Sequence, residues 1–265
     1  MSAIIIENGL VHYEALGRGR PLIFIHGWLG SWRYWMATMD DLSDQYRTYA
    51  LDLWGFGDSD RRKGYSIAGY VALLQQFMDE MGIRRAPLVG HALGGVVALR
   101  FAASAPERVE QVMVVSTPLD SADVDRPLAT FSGNNQDVAE RILGRRQVAA
   151  YPEVSMESGK IDATAVISSV RAVMRENLRS DLASVQMPVL LIYGENDPLI
   201  RLSSSPRGWL DDHKDNVRRI AFESSRHFPM LEEANKFNRL LREFLNVTGN
   251  LQTLELKEEW RRRVR

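Results

Sequence analysis

The sequence predicts an α/β protein: a mostly parallel sheet of eight strands flanked by helices. Two observations predict this. Short runs rich in β-branched and aromatic residues alternate along the chain with segments of helical period, the pattern of strands joined by helical crossovers. One such run, Leu22–Ile25, is apolar at every position, as a strand covered on both faces must be.

Taken in order, Ile4–Ile6 and Leu10–Ala15 read as an edge hairpin turned at Asn8-Gly9. Leu22–Ile25 is the next strand and ends at His26-Gly27. Thr48–Leu51 follows, ending at Asp52 and the turn Gly55-Phe56-Gly57. Ile67, Tyr70, Val71, Leu74, Phe77, Met78 and Met81 recur at steps of three and four, which makes an amphipathic helix, and Gly82 stands where it would end. Pro87–Gly90 is a strand, Gly94–Ala103 a helix and Val109–Ser116 a strand. Pro188–Tyr193 and Val217–Phe222 are the last two strands. Leu231, Ala234, Phe237, Leu240, Leu241, Phe244 and Leu245 mark the final core helix.

The stretch from about residue 118 to 187 breaks this rhythm. It opens irregularly over Asp120 to Asn135 and holds two helix-like segments, Val138–Ala150 and Ala163–Asn177. It lies just before the seventh strand, so the expectation is a small helical lid inserted into one domain spanning residues 1–265. A helical tail over about 250–265 is expected beyond it, and the arginines of that tail read as a solvated helix end.

Composition narrows the function classes. Lys plus Arg total 33 against 34 Asp plus Glu, so the chain lacks the positive field that tracks a phosphate backbone, and no nucleic-acid partner is expected. The absence of cysteine excludes disulfides, thiolate catalysis and Cys-ligated zinc, and it fits a reducing cytoplasm. No stretch approaches the roughly 20 apolar residues of a membrane span. Met1 to Gly9 lacks the basic and long apolar regions of a signal peptide. No His/Asp/Glu spacing suggests a metal, and no phosphate-binding glycine motif is present, so no cofactor is expected.

The informative segment is Val89-Gly90-His91-Ala92-Leu93-Gly94-Gly95, between a strand and a helix. It has the layout of a nucleophile elbow, G-x-S-x-G, with alanine at the centre. Such a turn forces its central residue into a strained backbone, and the flanking glycines keep side chains off the opposing chain. It presents the central side chain at a helix N-terminus, where free N–H groups favour developing negative charge.

With this elbow, the chain resembles the α/β-hydrolase superfamily over nearly all its length outside the insertion and tail. Phe24-Ile25-His26-Gly27-Trp28 resembles the family's oxyanion loop, and Asp52-Leu53-Trp54-Gly55-Phe56-Gly57-Asp58-Ser59 its D-x-x-G-x-G-x-S turn. Tyr193-Gly194-Glu195-Asn196-Asp197 resembles the strand end that supplies the acid. Ser225-Arg226-His227-Phe228-Pro229 resembles the loop that supplies the histidine. The order of positions 92, 197 and 227 is also the family's.

The resemblance implies His227 as general base and Asp197 as its orienting acid, with Asp120 a fallback. It implies an oxyanion hole from the backbone amides of Trp28 and Leu93. His26 and His91 read as structural or pocket-lining, and Trp28, Trp32, Trp35, Trp54 and Phe56 either line an apolar pocket or pack in the core. Asp52 reads as a brace for its turn, and His12 and His213 carry no signal.

A methyl group cannot attack a carbonyl, so Ala92 forbids an acyl-enzyme. Three readings follow. The chain is a hydrolase of small, apolar esters or related carbonyl compounds with its nucleophile replaced. Alternatively it is an enzyme that uses the His227–Asp197 pair as a base, as resembled by alanine-elbow aminoacrylate hydrolases and cofactor-free oxygenases in the family. The third reading is a protein that binds a small ligand or a partner without turnover.

Overall fold

A computed structural model describes residues 2–133, 138–201, 215–247 and 250–257. Its strands are β1 Ser2–Ile6, β2 Gly9–Gly17, β3 Arg20–Ile25, β4 Tyr46–Leu51, β5 Ala86–His91, β6 Val109–Val115, β7 Val189–Gly194 and β8 Val217–Phe222. They form one eight-stranded sheet in the order β1-β2-β4-β3-β5-β6-β7-β8. β2 runs antiparallel to both its neighbours, and every pairing from β4 through β8 is parallel. This is the sheet the sequence predicts.

The hairpin turn lies one residue earlier than expected. Ile6 pairs with Gly9, which leaves Glu7 and Asn8 as the two-residue loop. Both have positive φ (47° and 60°), the geometry that matches the twist of the flanking strands.

The helices of the body are α1 Met36–Leu42, α2 Ile67–Glu80 and α3 Leu93–Ser104. α1 follows a 3-10 turn, Trp32–Trp35, and neither has a sequence signal because so short an element repeats its period too few times to stand out. The Ser66 hydroxyl caps α2 by accepting from the Gly69 amide at 3.0 Å, and Gly82 (φ +66°) closes it.

Between β6 and β7 lie α4 Arg126–Ala129, α5 Val138–Leu143, α6 Arg145–Val148, α7 Pro152–Glu157, α8 Ala163–Val173 and α9 Leu178–Ser184. The expected helix over 138–150 is thus divided, at Gly144 with φ +86°, and the one over 163–177 stops at Val173. The opening of this segment holds a 3-10 turn, Ser121–Asp123, as well as α4, while Asn134 and Asn135 lie outside the described residues. The final core helix is two, α10 Pro229–Glu232 and α11 Ala234–Leu245, because Glu233 leaves the helical region (φ −130°, ψ 49°). Of the helical tail expected over about 250–265, the described residues hold one 3-10 turn, Leu251–Thr253, and 254–257 are not helical; residues 258–265, with the arginine cluster, lie outside the described residues.

One apolar cluster runs from Ile6 to Leu254 and takes in Val138, Val154, Val166 and Leu178 of the inserted segment. Among the described residues, no helix is long and apolar enough to cross a membrane.

Candidate active site

The elbow joins β5 to α3. Ala92 is fully buried and holds φ 47°, ψ −111°, a region that penalises any residue with a Cβ. Its amide donates to the Val115 carbonyl at 2.8 Å, which anchors the turn to β6. The glycines are there for space. A Cβ on Gly90 would strike the Gly94 carbonyl, one on Gly94 the Ile25 carbonyl, and one on Gly95 the Thr117 side chain.

The acid and the histidine come from the last two strand ends, after β7 and β8. Gly194 closes β7, and a Cβ there would strike the Arg226 carbonyl, so only glycine lets the two loops pass this closely. The Asn196 amide donates to the Ser225 carbonyl at 3.1 Å and ties them together. His227 Nδ1 then lies 2.9 Å from Asp197 Oδ2, with both side chains buried. Asp197 Oδ1 also accepts from the amides of Leu199 (2.8 Å) and Ile200 (3.1 Å). A carboxylate held this way fixes the imidazole with its proton on Nδ1 and leaves Nε2 as the basic nitrogen. Among the described residues, Nε2 has no hydrogen-bond partner.

Trp28 and Leu93 are both buried, and among the described residues neither backbone amide meets an acceptor. The Trp28 indole N–H donates to the Ser169 hydroxyl on α8 at 2.9 Å, joining this loop to the inserted segment. The inserted segment also reaches the histidine loop, where the Tyr151 hydroxyl donates to Glu232 and its ring packs 4.8 Å from Phe228.

The other expected residues are engaged elsewhere. His26 is fully buried; its Nδ1 lies 2.7 Å from the Gly27 carbonyl, and its Nε2 accepts from the Leu53 amide at 2.9 Å, so neither nitrogen is left for a substrate. Burial holds its pKa below the usual histidine value. The Trp54 ring is covered by the Arg62 guanidinium at 3.9 Å, and the fully buried Phe56 packs edge-on against His26 at 5.3 Å. Both rings thus have a packing partner within the protein. Trp28 and Trp35 are buried as well. Asp120 caps the 3-10 turn through the Ala122 amide and pairs with Arg179 Nε at 2.6 Å, so the fallback acid is occupied. Burial opposes its charge, but the Arg179 and amide hydrogen bonds outweigh it and hold its pKa down.

One pairing has no trace in the sequence. His12 Nδ1 lies 2.8 Å from Asp52 Oδ2 in the core, a second histidine–carboxylate couple. Asp52 also accepts from the amides of Trp32 (2.8 Å) and Asp58 (3.0 Å), which makes it the brace expected for its turn. Burial disfavours the imidazolium, but the hydrogen bond and charge of Asp52, with Asp58 and Glu14 behind, hold the His12 pKa above its usual value. His12, Asp52 and Asp58 also bring three ligand-type atoms within 4.8 Å of one another. His213 lies outside the described residues.

A family model described as the alpha/beta hydrolase fold matches residues 20–152. The pimeloyl-[acyl-carrier protein] methyl ester esterase of Nitrosomonas europaea is 28% identical over 248 residues, covering 86% of this chain and 96% of that protein. The dihydrolipoyllysine-residue acetyltransferase component of the acetoin cleaving system of Cupriavidus necator is 29% identical, covering 91% of this chain and 67% of its own. Among solved structures, a serine-to-alanine mutant of the meta-cleavage product hydrolase of Pseudomonas fluorescens, complexed with acetates, superposes with a TM-score of 0.76. It is 27% identical, and the match covers 93% of this chain and 97% of that one.

Proposed function

The chain belongs to the α/β-hydrolase fold family, and from that premise we propose that it hydrolyses a small ester-like carbonyl compound without forming an acyl-enzyme. Water takes the part that a serine hydroxyl would play at position 92. His227 Nε2 accepts a proton as the water oxygen bonds to the carbonyl carbon, and Asp197 steadies the imidazolium. The amides of Trp28 and Leu93 stabilise the tetrahedral oxyanion. As that intermediate collapses, the carbon–oxygen ester bond breaks and the proton passes from His227 to the leaving alkoxide, giving an acid and an alcohol. The methyl ester named for the Nitrosomonas relative supports an ester as the substrate class.

The observation that carries this reading is the buried His227–Asp197 couple at 2.9 Å beside a strained turn whose central side chain is a methyl group. The test is turnover of short activated esters by the unmodified chain and by His227→Ala. Turnover that needs His227, with no labelling by a serine-reactive phosphonate, is expected. Ala92→Ser should add phosphonate labelling and a burst of acyl-enzyme. Absence of any His227-dependent turnover across an ester panel would overturn the proposal.

A second reading, ligand binding without chemistry, is favoured by Ala92 itself. It predicts that an ester raises the Tm while no product forms.

A further inference from the structure

His91 ends β5, is fully buried and precedes the elbow residue directly. Its Nε2 lies 2.8 Å from the His227 backbone carbonyl. A carbonyl oxygen only accepts, so Nε2 is the donor and carries the proton. A proton on Nδ1 would meet no acceptor, and burial, with His227 adding to it, pushes the His91 pKa well below the usual histidine value. Nδ1 is therefore a bare lone pair, and it is buried with no hydrogen-bond partner.

What faces that lone pair is Gly27. A Cβ built on Gly27 would sit 2.5 Å from His91 Nδ1 and 2.9 Å from the Ala92 Cβ. Glycine, with only a hydrogen in that direction, leaves the ring room to sit there. The ring is wedged on its other sides by His227 at 4.6 Å, Phe228 at 5.3 Å and Tyr34 at 5.7 Å between centroids. The titratable groups facing it are His227, the Tyr34 phenol and, at longer range, His26.

One imidazole thus touches the three parts of the site at once. It is bonded to residue 92, it holds the main chain of the histidine at 227, and it abuts the glycine that precedes the Trp28 amide. We propose that His91 is a positioning residue, a rigid spacer locked as the Nε2–H tautomer that sets both the base loop and the oxyanion loop at fixed distances from residue 92. This rests on His227 being the base and Trp28 an oxyanion donor, and the test separates the two claims.

The first arm is nitrogen-15 NMR of the unmodified chain and does not depend on turnover. His91 should show a protonated Nε2, a bare Nδ1 and no titration between about pH 5 and about pH 9. A His91 ring that titrates in that range, or that carries its proton on Nδ1, overturns the proposal. The second arm compares His91→Leu with His91→Gln, which keeps an N–H near the Nε2 position. His91→Leu should shift the His227 ring resonances and lower kcat on the ester about 100-fold, the scale of a misplacement of about 1 Å, with KM changed less than about twofold. His91→Gln should recover at least about a tenth of the original kcat, by restoring the hydrogen bond to His227. Unchanged His227 resonances in His91→Leu, or a loss confined to KM, overturns it. If the unmodified chain turns over no ester, the catalytic proposal falls and the tautomer and resonance measurements still decide this one. Should His91→Leu fail to fold, His91→Gln and the unmodified chain carry the same measurements.

Discussion

Ala92 holds the strained backbone of the turn between β5 and α3, with a methyl group as its side chain. A residue with a Cβ at φ 47°, ψ −111° costs about 1–3 kcal/mol, which glycine would largely avoid. Ala92→Gly is therefore expected to raise stability by about 1 kcal/mol in urea denaturation, despite the greater freedom of glycine in the unfolded chain. Gly27→Ala should do the reverse. Its Cβ would sit 2.5 Å from His91 Nδ1 and 2.9 Å from the Ala92 Cβ, so the loop must shift, at about 1–3 kcal/mol, with hydrolysis falling as the Trp28 amide moves.

The histidines set opposing pH dependences. Burial lowers the pKa of His26 and His91 below 6.5, so under that pH the unfolded chain binds protons the native one refuses, and stability falls as pH drops. His12 is shifted the other way by Asp52. Its contribution is whole below 6.5 and is lost as pH rises through the folded value. His12→Gln should consequently lose more stability at about pH 5.5 than at about pH 8.5, which urea midpoints at the two values check.

At the scale of elements, the segment between β6 and β7 is stitched to the loops after β3 and β4. Arg33 pairs with the buried Glu157 at 2.7 Å, Lys160 with Asp58 at 2.9 Å, and the Tyr65 hydroxyl donates to Asp162 at 2.7 Å. The Trp28–Ser169 hydrogen bond adds a tie that starts on the candidate oxyanion loop itself. Trp28→Phe and Ser169→Ala should each cost about 1 kcal/mol, and the double variant should lose less than their sum, since both remove one interaction. Hydrogen exchange should quicken along α8 in both. Equal protection of α8 in Trp28→Phe and the unmodified chain would mean that this bond does not hold the segment down.

For the molecule as a whole, one apolar cluster spans the sheet, its helices and the inserted segment. We infer from it that the chain unfolds as a single domain, with circular dichroism and tryptophan fluorescence giving coincident urea transitions. Leu88 on β5 is fully buried in the middle of the sheet. Leu88→Ala should lower that common transition by about 2–5 kcal/mol without splitting it. A separate early transition reported by only one probe would mark the inserted segment as an independent unit.

The strands, the long helices α2, α3 and α11 and the glycine framework of the elbow were legible because each is encoded by neighbours in the chain. Periodicity and glycine spacing express constraints felt within a few residues. Short helices such as Met36–Leu42, and the break at Glu233, were not legible, since so few residues repeat the helical period too few times and packing decides them. The same limit applies to the side-chain partnerships. His91 meets the His227 carbonyl across 136 residues and His12 meets Asp52 across 40. Nothing local marks either histidine as different from His26. The chain alone determined which residue types stand at the strand ends; only the assembled sheet decided which of them touch, because those contacts join loops and strand ends that are close in space and distant in sequence.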